Sequence, residues 1–182
     1  MFSTDQIVCN EDNAGTVGTL CEEINARGLE FELNDCDRQL TLFAPSNIAF
    51  QIFFDRYDDN FFENEENFES FINIIVDGGR KLQSDAFRNI FMTSVLLYNV
   101  ADGVSLSQDL TCNGKVAMIS GGTTETKCNN PDVVGQKGTC NNNRSFFRQT
   151  DVIAANGVIH LILEVLVPSP TRAEAGCVLP LE

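Results

Sequence analysis

The chain has no tryptophan, one histidine, two tyrosines and only 12 lysine and arginine residues among its 182. Each shortage closes a route. Without tryptophan, and with 14 phenylalanines present, the core has to be built largely from Phe, Leu, Ile and Val. Acidic residues number 26, so the formal charge is -14. No basic run stands out, which argues against a nucleic acid partner and against an anionic lipid surface. Nor is there an apolar run of about 18 residues, so no transmembrane segment is expected. The opening residues, MFSTDQIVCNED, have neither a basic start nor an apolar stretch. They do not read as a secretory leader, and the expectation is a mature fragment with Met1 as an added start and Leu181-Glu182 as a cloning scar.

Chemistry-bearing signatures are also missing. There is no Cys-x-x-Cys pair, and the single histidine, His160, lies far from most cysteines, which argues against zinc. GxSxG, HExxH and GxxxxGK[ST] are absent, and Gly121-Gly122 reads as a hairpin turn rather than a phosphate loop. Asp55, Tyr57, Asp58, Asp59 and Asn60 superficially suggest calcium ligands. They lack the glycine of the sharp turn and the bidentate glutamate, so a solvated acidic loop is the reading. No catalytic residue, cofactor or metal is assigned.

What the sequence does hold is seven dispersed cysteines, at 9, 21, 36, 112, 128, 140 and 177. In loop-like, Asn-rich surroundings they read as disulfides of an oxidising compartment, with three bridges and one odd thiol as the simplest count. Cys128 and Cys140 flank NNPDVVGQKGT, and a bridge between them would staple that loop. Cys9, Cys21 and Cys36 supply another pair. Asn143-Arg144-Ser145 is the glycosylation sequon, which makes Asn143 a glycan acceptor candidate and favours secretion.

Along the chain, Val17, Leu20, Cys21 and Ile24 fall at helical spacing before Gly28. LTLFAP follows as a strand, and Ser46 or Asn47 caps a helix with Phe50, Phe53 and Phe54 on one face. Phe68, Phe71, Ile72, Ile75 and Val76 mark a core helix ended by Gly78-Gly79. Another opens at Ser84 or Asp85, with Phe87, Ile90, Phe91 and Val95 inward. KVAMIS, SFFRQTDVIA and VIHLILEVLVP read as strands, with turns at Gly121-Gly122, 129 to 143 and Asn156-Gly157. Helices early and strands late give an α+β class. A single domain over residues 1–170 is expected, with 171–182 as a tail that Cys177 ties down.

Three segments in order carry a specific signal: TLFAPSNIAF at 41–50, VLLYNVADGVSLSQDL at 95–110 and NGVIHLILEVLVP at 156–168. Together they resemble the signature segments of the fasciclin domain. The resemblance implies a β-wedge of two sheets with N-terminal helices packed against it. It makes Thr41, Phe43, Pro45, Asn47, Asn156, Gly157 and His160 signature residues of the framework. It also implies a secreted or cell-surface adhesion module of the extracellular matrix, binding protein or glycan partners. Two family adhesive elements map here. Tyr98-Asn99 stands where the family has a Tyr-His pair, and Asp151-Val152 stands in its integrin-recognition segment. The alternatives are an extracellular module for a small ligand or a calcium-bridged polysaccharide and, last, an extracellular enzyme.

Overall fold

A computed structural model of the chain describes residues 3–63, 84–129 and 132–169. The helix expected around Phe68–Val76 and the tail with Cys177 lie outside the described residues.

Local sequence explains most of the helical part. Ser3 opens α1 (Thr4–Val8) with a capping box. After a 3-10 turn at Glu11–Asn13 comes α2 (Ala14–Ala26), which buries Val17, Leu20 and Ile24. It stops at a glycine: Gly28 takes φ 64°, and the amides of Gly28 and Leu29 return to the carbonyls of Asn25 and Ile24. Helix α3 (Glu30–Asn34) leads into strand β1 (Leu40–Pro45). The Ser46 hydroxyl then accepts the Ala49 amide and starts α4 (Asn47–Arg56), followed by α5 (Asp59–Glu63) and α6 (Ser84–Leu97). Phe50, Phe53, Phe87, Phe91 and Val95 are buried as expected, but Phe54 and Ile90 sit on the edge of their stripes, 38% and 43% exposed.

The strands are β2 (Val100–Asp102), β3 (Lys115–Ala117), β4 (Thr123–Asn129), β5 (Asp132–Lys137), β6 (Ser145–Ala154) and β7 (Gly157–Ile162). They form one sheet in the order β2-β1-β7-β6-β5-β4-β3, with only β1 and β7 parallel. A bridge between Ala101 and Met118 brings the two ends together, so the sheet nearly closes. Two register shifts bend β6. One end of β6 pairs with β5 and the rest with β7, which creates the two layers of the wedge.

Strands β1 and β7 are buried on both faces. Leu40, Leu42, Ala44, Ile159 and Leu161 join the helical core. Phe43 and Ile162 face the other way, into a smaller core with Tyr98, Met118 and Leu166. That double coverage is why LTLFAP and VIHLI read as nearly continuous apolar runs.

Two expectations need correction. The stretch 129–143 is not simply a turn, because β5 occupies its middle. For the same reason Cys128 does not pair with Cys140. Asn113, at φ 59°, and Gly114 fold the chain back on Thr126, setting Cys112 beside Cys128 with Cα atoms 5.5 Å apart. Strand β5 carries Cys140 away to the buried segment at Val167, where it is disulfide-bonded elsewhere. Cys9 pairs with Cys21, and Cys36 is a free, exposed thiol.

Candidate functional site

The three signature segments meet in space, because β1 lies between β2 and β7. Their polar side chains converge on the loop after β2. The Thr41 hydroxyl donates to the Gly103 carbonyl at 2.7 Å and accepts the Ser105 amide at 2.8 Å. His160, fully buried, takes the Asp151 amide on Nδ1 at 3.2 Å. Its proton is therefore on Nε2, which donates to the Ser105 carbonyl at 2.8 Å. Phe43 and Phe147 flank the ring, with centroids 5.6 and 5.4 Å away.

Asp151 lies in a bulge of β6 at φ 60°, a conformation that Asp tolerates better than most residues. One carboxylate oxygen accepts the Ser107 amide at 2.7 Å, and the other accepts the Ser107 hydroxyl. Desolvation pushes this carboxyl up, but the two Ser107 hydrogen bonds and nearby His160 leave it below the ordinary aspartate value. Its side chain keeps 34% exposure, and neighbouring Val152 packs against the helical core.

The constellation contains Ser, His and Asp yet cannot act as a nucleophile relay. Ser107 gives its proton to Asp151, and both imidazole nitrogens are committed to backbone groups. These residues hold a loop in place.

Burial lowers the His160 pKa against the smaller opposing effects of Ser105 and Asp151. The unfolded chain takes up its proton near pH 6.5, whereas the folded protein resists protonation until lower pH. Stability is therefore present above 6.5 and is lost as pH falls below it, by at most about 1.4 kcal/mol per pH unit. Since His160 is the sole histidine, thermal melting between pH 7 and 5.5 should show this slope in the wild type. His160→Gln should melt lower and lose the histidine's part of the slope, leaving the opposite contribution of the carboxyls that burial raises, Asp5, Glu23 and Glu164.

Tyr98 and Asn99 are each 1% exposed, which removes both from any surface contact in the folded domain. Helix α6 ends at Leu97, and the turn drives both side chains inward. The Tyr98 hydroxyl donates to the Thr123 carbonyl at 2.5 Å and accepts the Thr139 amide at 3.2 Å. Asn99 donates to the carbonyls of Val95 and Leu166 and accepts the Leu166 amide, so it pins the segment after β7.

Two more signature asparagines are ties. The backbone of α2 is broken at Val17, and the Asn47 side chain fills the break by accepting the Thr19 amide at 3.0 Å and donating to the Ala14 carbonyl at 2.9 Å. Asn156 reaches α1 and α3. Pro45 ends β1 opposite Ile162, where the sheet gives way to α4.

Sequence reasoning missed Thr4, Ser105, Ser107 and Asn141 as members of this framework. Asn141 gives and takes backbone hydrogen bonds with Val165 and Val167. Nothing separates Asn141 from its neighbours Asn142 and Asn143 except burial, since the latter two are exposed. In the sequon, the Ser145 hydroxyl is buried and hydrogen-bonded in both directions to the Glu164 backbone.

The comparisons agree with this architecture. The fasciclin domain model matches residues 15–168. A solved FAS1 domain pair from the insect cell adhesion molecule fasciclin I superposes with a TM-score of 0.63 at 13% identity, over 91% of this chain and 51% of that one. The chain thus spans about half of that pair. No curated protein matches it. With the family model covering most of its length and the signature segments forming one hydrogen-bonded centre, the chain belongs to the fasciclin domain family.

Proposed function

We propose that this domain is a secreted or cell-surface adhesion module that binds extracellular protein or glycan partners. Family membership over residues 15–168 carries the reading. The bridges Cys9–Cys21 and Cys112–Cys128 support it, because such bonds persist in oxidising compartments. No described helix is long and apolar enough to cross a membrane.

Binding at a rigid surface suits the way the polar residues are used. Of the four family adhesive positions, Tyr98, Asn99, Asp151 and Val152, only Asp151 offers a partly exposed polar group. The small-ligand alternative gains little from the helical core, where the cavity beside Leu20, Ile24, Leu42 and Val100 has a volume of about 10 Å³, the room of one water.

The test is attachment of adherent cells to surfaces coated with the oxidised domain. Attachment well above an albumin coat is expected, and attachment no better than albumin would overturn the adhesion reading. Asp151→Asn keeps the backbone conformation accessible and removes the charge, so it is the variant to compare. A severalfold loss with the fold intact assigns the contact to Asp151 and Val152. Equal attachment takes that segment out of the contact and leaves the module reading in place.

A further inference from the structure

The charge is not spread evenly over the chain. Residues 111–150 contain five of the 12 basic side chains and two of the 26 acidic ones. In sequence they look scattered, with lysines at 115, 127 and 137. Strand pairing gathers them. Lys115 lies opposite Glu125, and Glu125 opposite Lys137. Lys127 lies opposite Gly135, which in turn lies opposite Phe146. Directly opposed residues share a face of the sheet, so all these side chains project from the same side. The other side of these strands holds the buried Thr124, Thr126 and Gln136 network.

The face is also grooved. Gly135 presents no side chain between Lys127 and Phe146, and a Cβ there would lie 2.0 Å from the Ser145 carbonyl oxygen. The resulting hollow is about 500 Å³, lined by Lys127, Lys137, Arg144, Phe146, Asn142, Asn143 and one acid, Glu164. Phe146 is 44% exposed, and the Arg144 guanidinium lies 4.7 Å from its ring centre. Two acidic side chains stand on the β3–β5 face, Asp132 opposite Asn129 at one end and Glu125 among the lysines; Glu125 is the one that meets a lysine. It pairs with Lys127 at 2.6 Å and is held below the usual carboxylate range first by that hydrogen bond and then by the charges of Lys127, Lys137 and Lys115.

We propose that this groove on the outer face of β3 to β6 binds a sulfated glycan chain. The inference rests on the adhesion reading and supplies its partner class. Three converging cations meet sulfate groups, and the exposed Phe146 ring meets the apolar face of a sugar. Lys137 and Arg144 form no ion pair among the described residues, so their charges are available to an incoming anion. The strongly acidic remainder of the chain repels a polyanion and confines it to this face. A membrane does not fit as well, since Phe146 is the only large apolar side chain in the groove.

Titration of a sulfated heparin-type hexasaccharide into the oxidised domain, followed by backbone amide shifts, tests this. The protein carries Asn143→Gln, because an N-linked glycan at that position would stand in the same groove. Saturable shifts on β4, β5 and the residues around Arg144 are expected, with affinity falling as salt rises. Lys127→Ala with Lys137→Ala should weaken binding by about tenfold, near 1.4 kcal/mol. Phe146→Ala should weaken it by roughly fivefold with little change in salt dependence. Glu125→Gln should strengthen it by about threefold, which a purely structural role would not produce. The desulfated hexasaccharide should bind at least about tenfold more weakly.

Equal binding by the wild type and the double lysine variant, shifts elsewhere, or no binding at low salt would overturn the proposal. So would an acidic peptide binding as tightly as the sugar. Cell attachment separates the two readings. If the double variant loses the sugar and keeps attachment, the sulfated glycan is not the adhesive partner although the module is adhesive. If the sugar binds and no cell attaches, the groove stands and the adhesion reading falls.

Discussion

Asn156→Ala is expected to lower stability by about 3–5 kcal/mol, a large share of the 5–15 kcal/mol typical of a domain. The fully buried amide makes four hydrogen bonds. Its oxygen accepts the Thr4 amide at 2.8 Å and the Thr4 hydroxyl at 2.9 Å, while its nitrogen donates to the Leu33 carbonyl at 2.8 Å and the Asp35 carbonyl at 3.2 Å. Alanine leaves two backbone carbonyls and the Thr4 groups without partners where water enters poorly, and each such group costs about 1–3 kcal/mol. Helix α1 and the end of α3 should loosen first. Denaturant unfolding measures the loss, and hydrogen exchange should show Thr4–Val8 and Leu33–Asp35 losing protection ahead of β1. Asn156→Asp keeps the acceptor and removes both donors, so it should be destabilised as well. A midpoint unchanged in both variants would show that the tie is dispensable.

Gly157→Ala should be at least as damaging, for a steric reason. A Cβ at this position would fall 2.0 Å from the Leu40 carbonyl oxygen and 2.8 Å from its carbon. Those are backbone atoms of β1, and they cannot turn aside as a flexible side chain would. The glycine also takes φ 157° at the start of β7. Leu40 opposite Gly157 is the first pair of the parallel β1–β7 ladder that runs to Pro45 and Ile162, so relieving the clash means separating the central strands. A loss of about 3 kcal/mol or more is expected, in the range of overpacked core sites. Circular dichroism melting and yield of folded protein are the readouts. Wild-type behaviour of Gly157→Ala would mean that the strands separate at little cost.

Asn156 and Gly157 also show how far the sequence can be read. An Asn-Gly pair between apolar runs announces a hairpin, and a hairpin is there, with Ala154 pairing with Gly157. The dipeptide does not announce that its amide reaches a threonine 152 residues earlier, or that its missing Cβ admits another strand. The same holds at Asp151, which matched an adhesive position in a family pattern and proved also to clamp the loop at Ser107. Tyr98-Asn99 matched another and turned out to be internal. The candidate site was legible as a set of residues. The job of each residue was not, because it depends on which segments become neighbours.

Local chemistry let the sequence determine the class and most of the elements by itself. Ser46 caps a helix because its hydroxyl reaches an amide three residues on. Gly28 ends one because it alone takes φ 64° without strain. Continuous apolar runs in β1 and β7 announce strands covered on both faces. These effects act over a few residues and survive in the order of the chain. Strand pairing decided the rest. It placed Cys112 beside Cys128 by inserting β5 before Cys140, and it joined the lysines at 115, 127 and 137 into one face of a protein whose net charge is -14. It also turned four asparagines into ties between distant backbone segments. Disulfide geometry, Coulomb fields and side-chain hydrogen bonds act through space at a few ångströms, so their partners are fixed only when the sheet has chosen its neighbours.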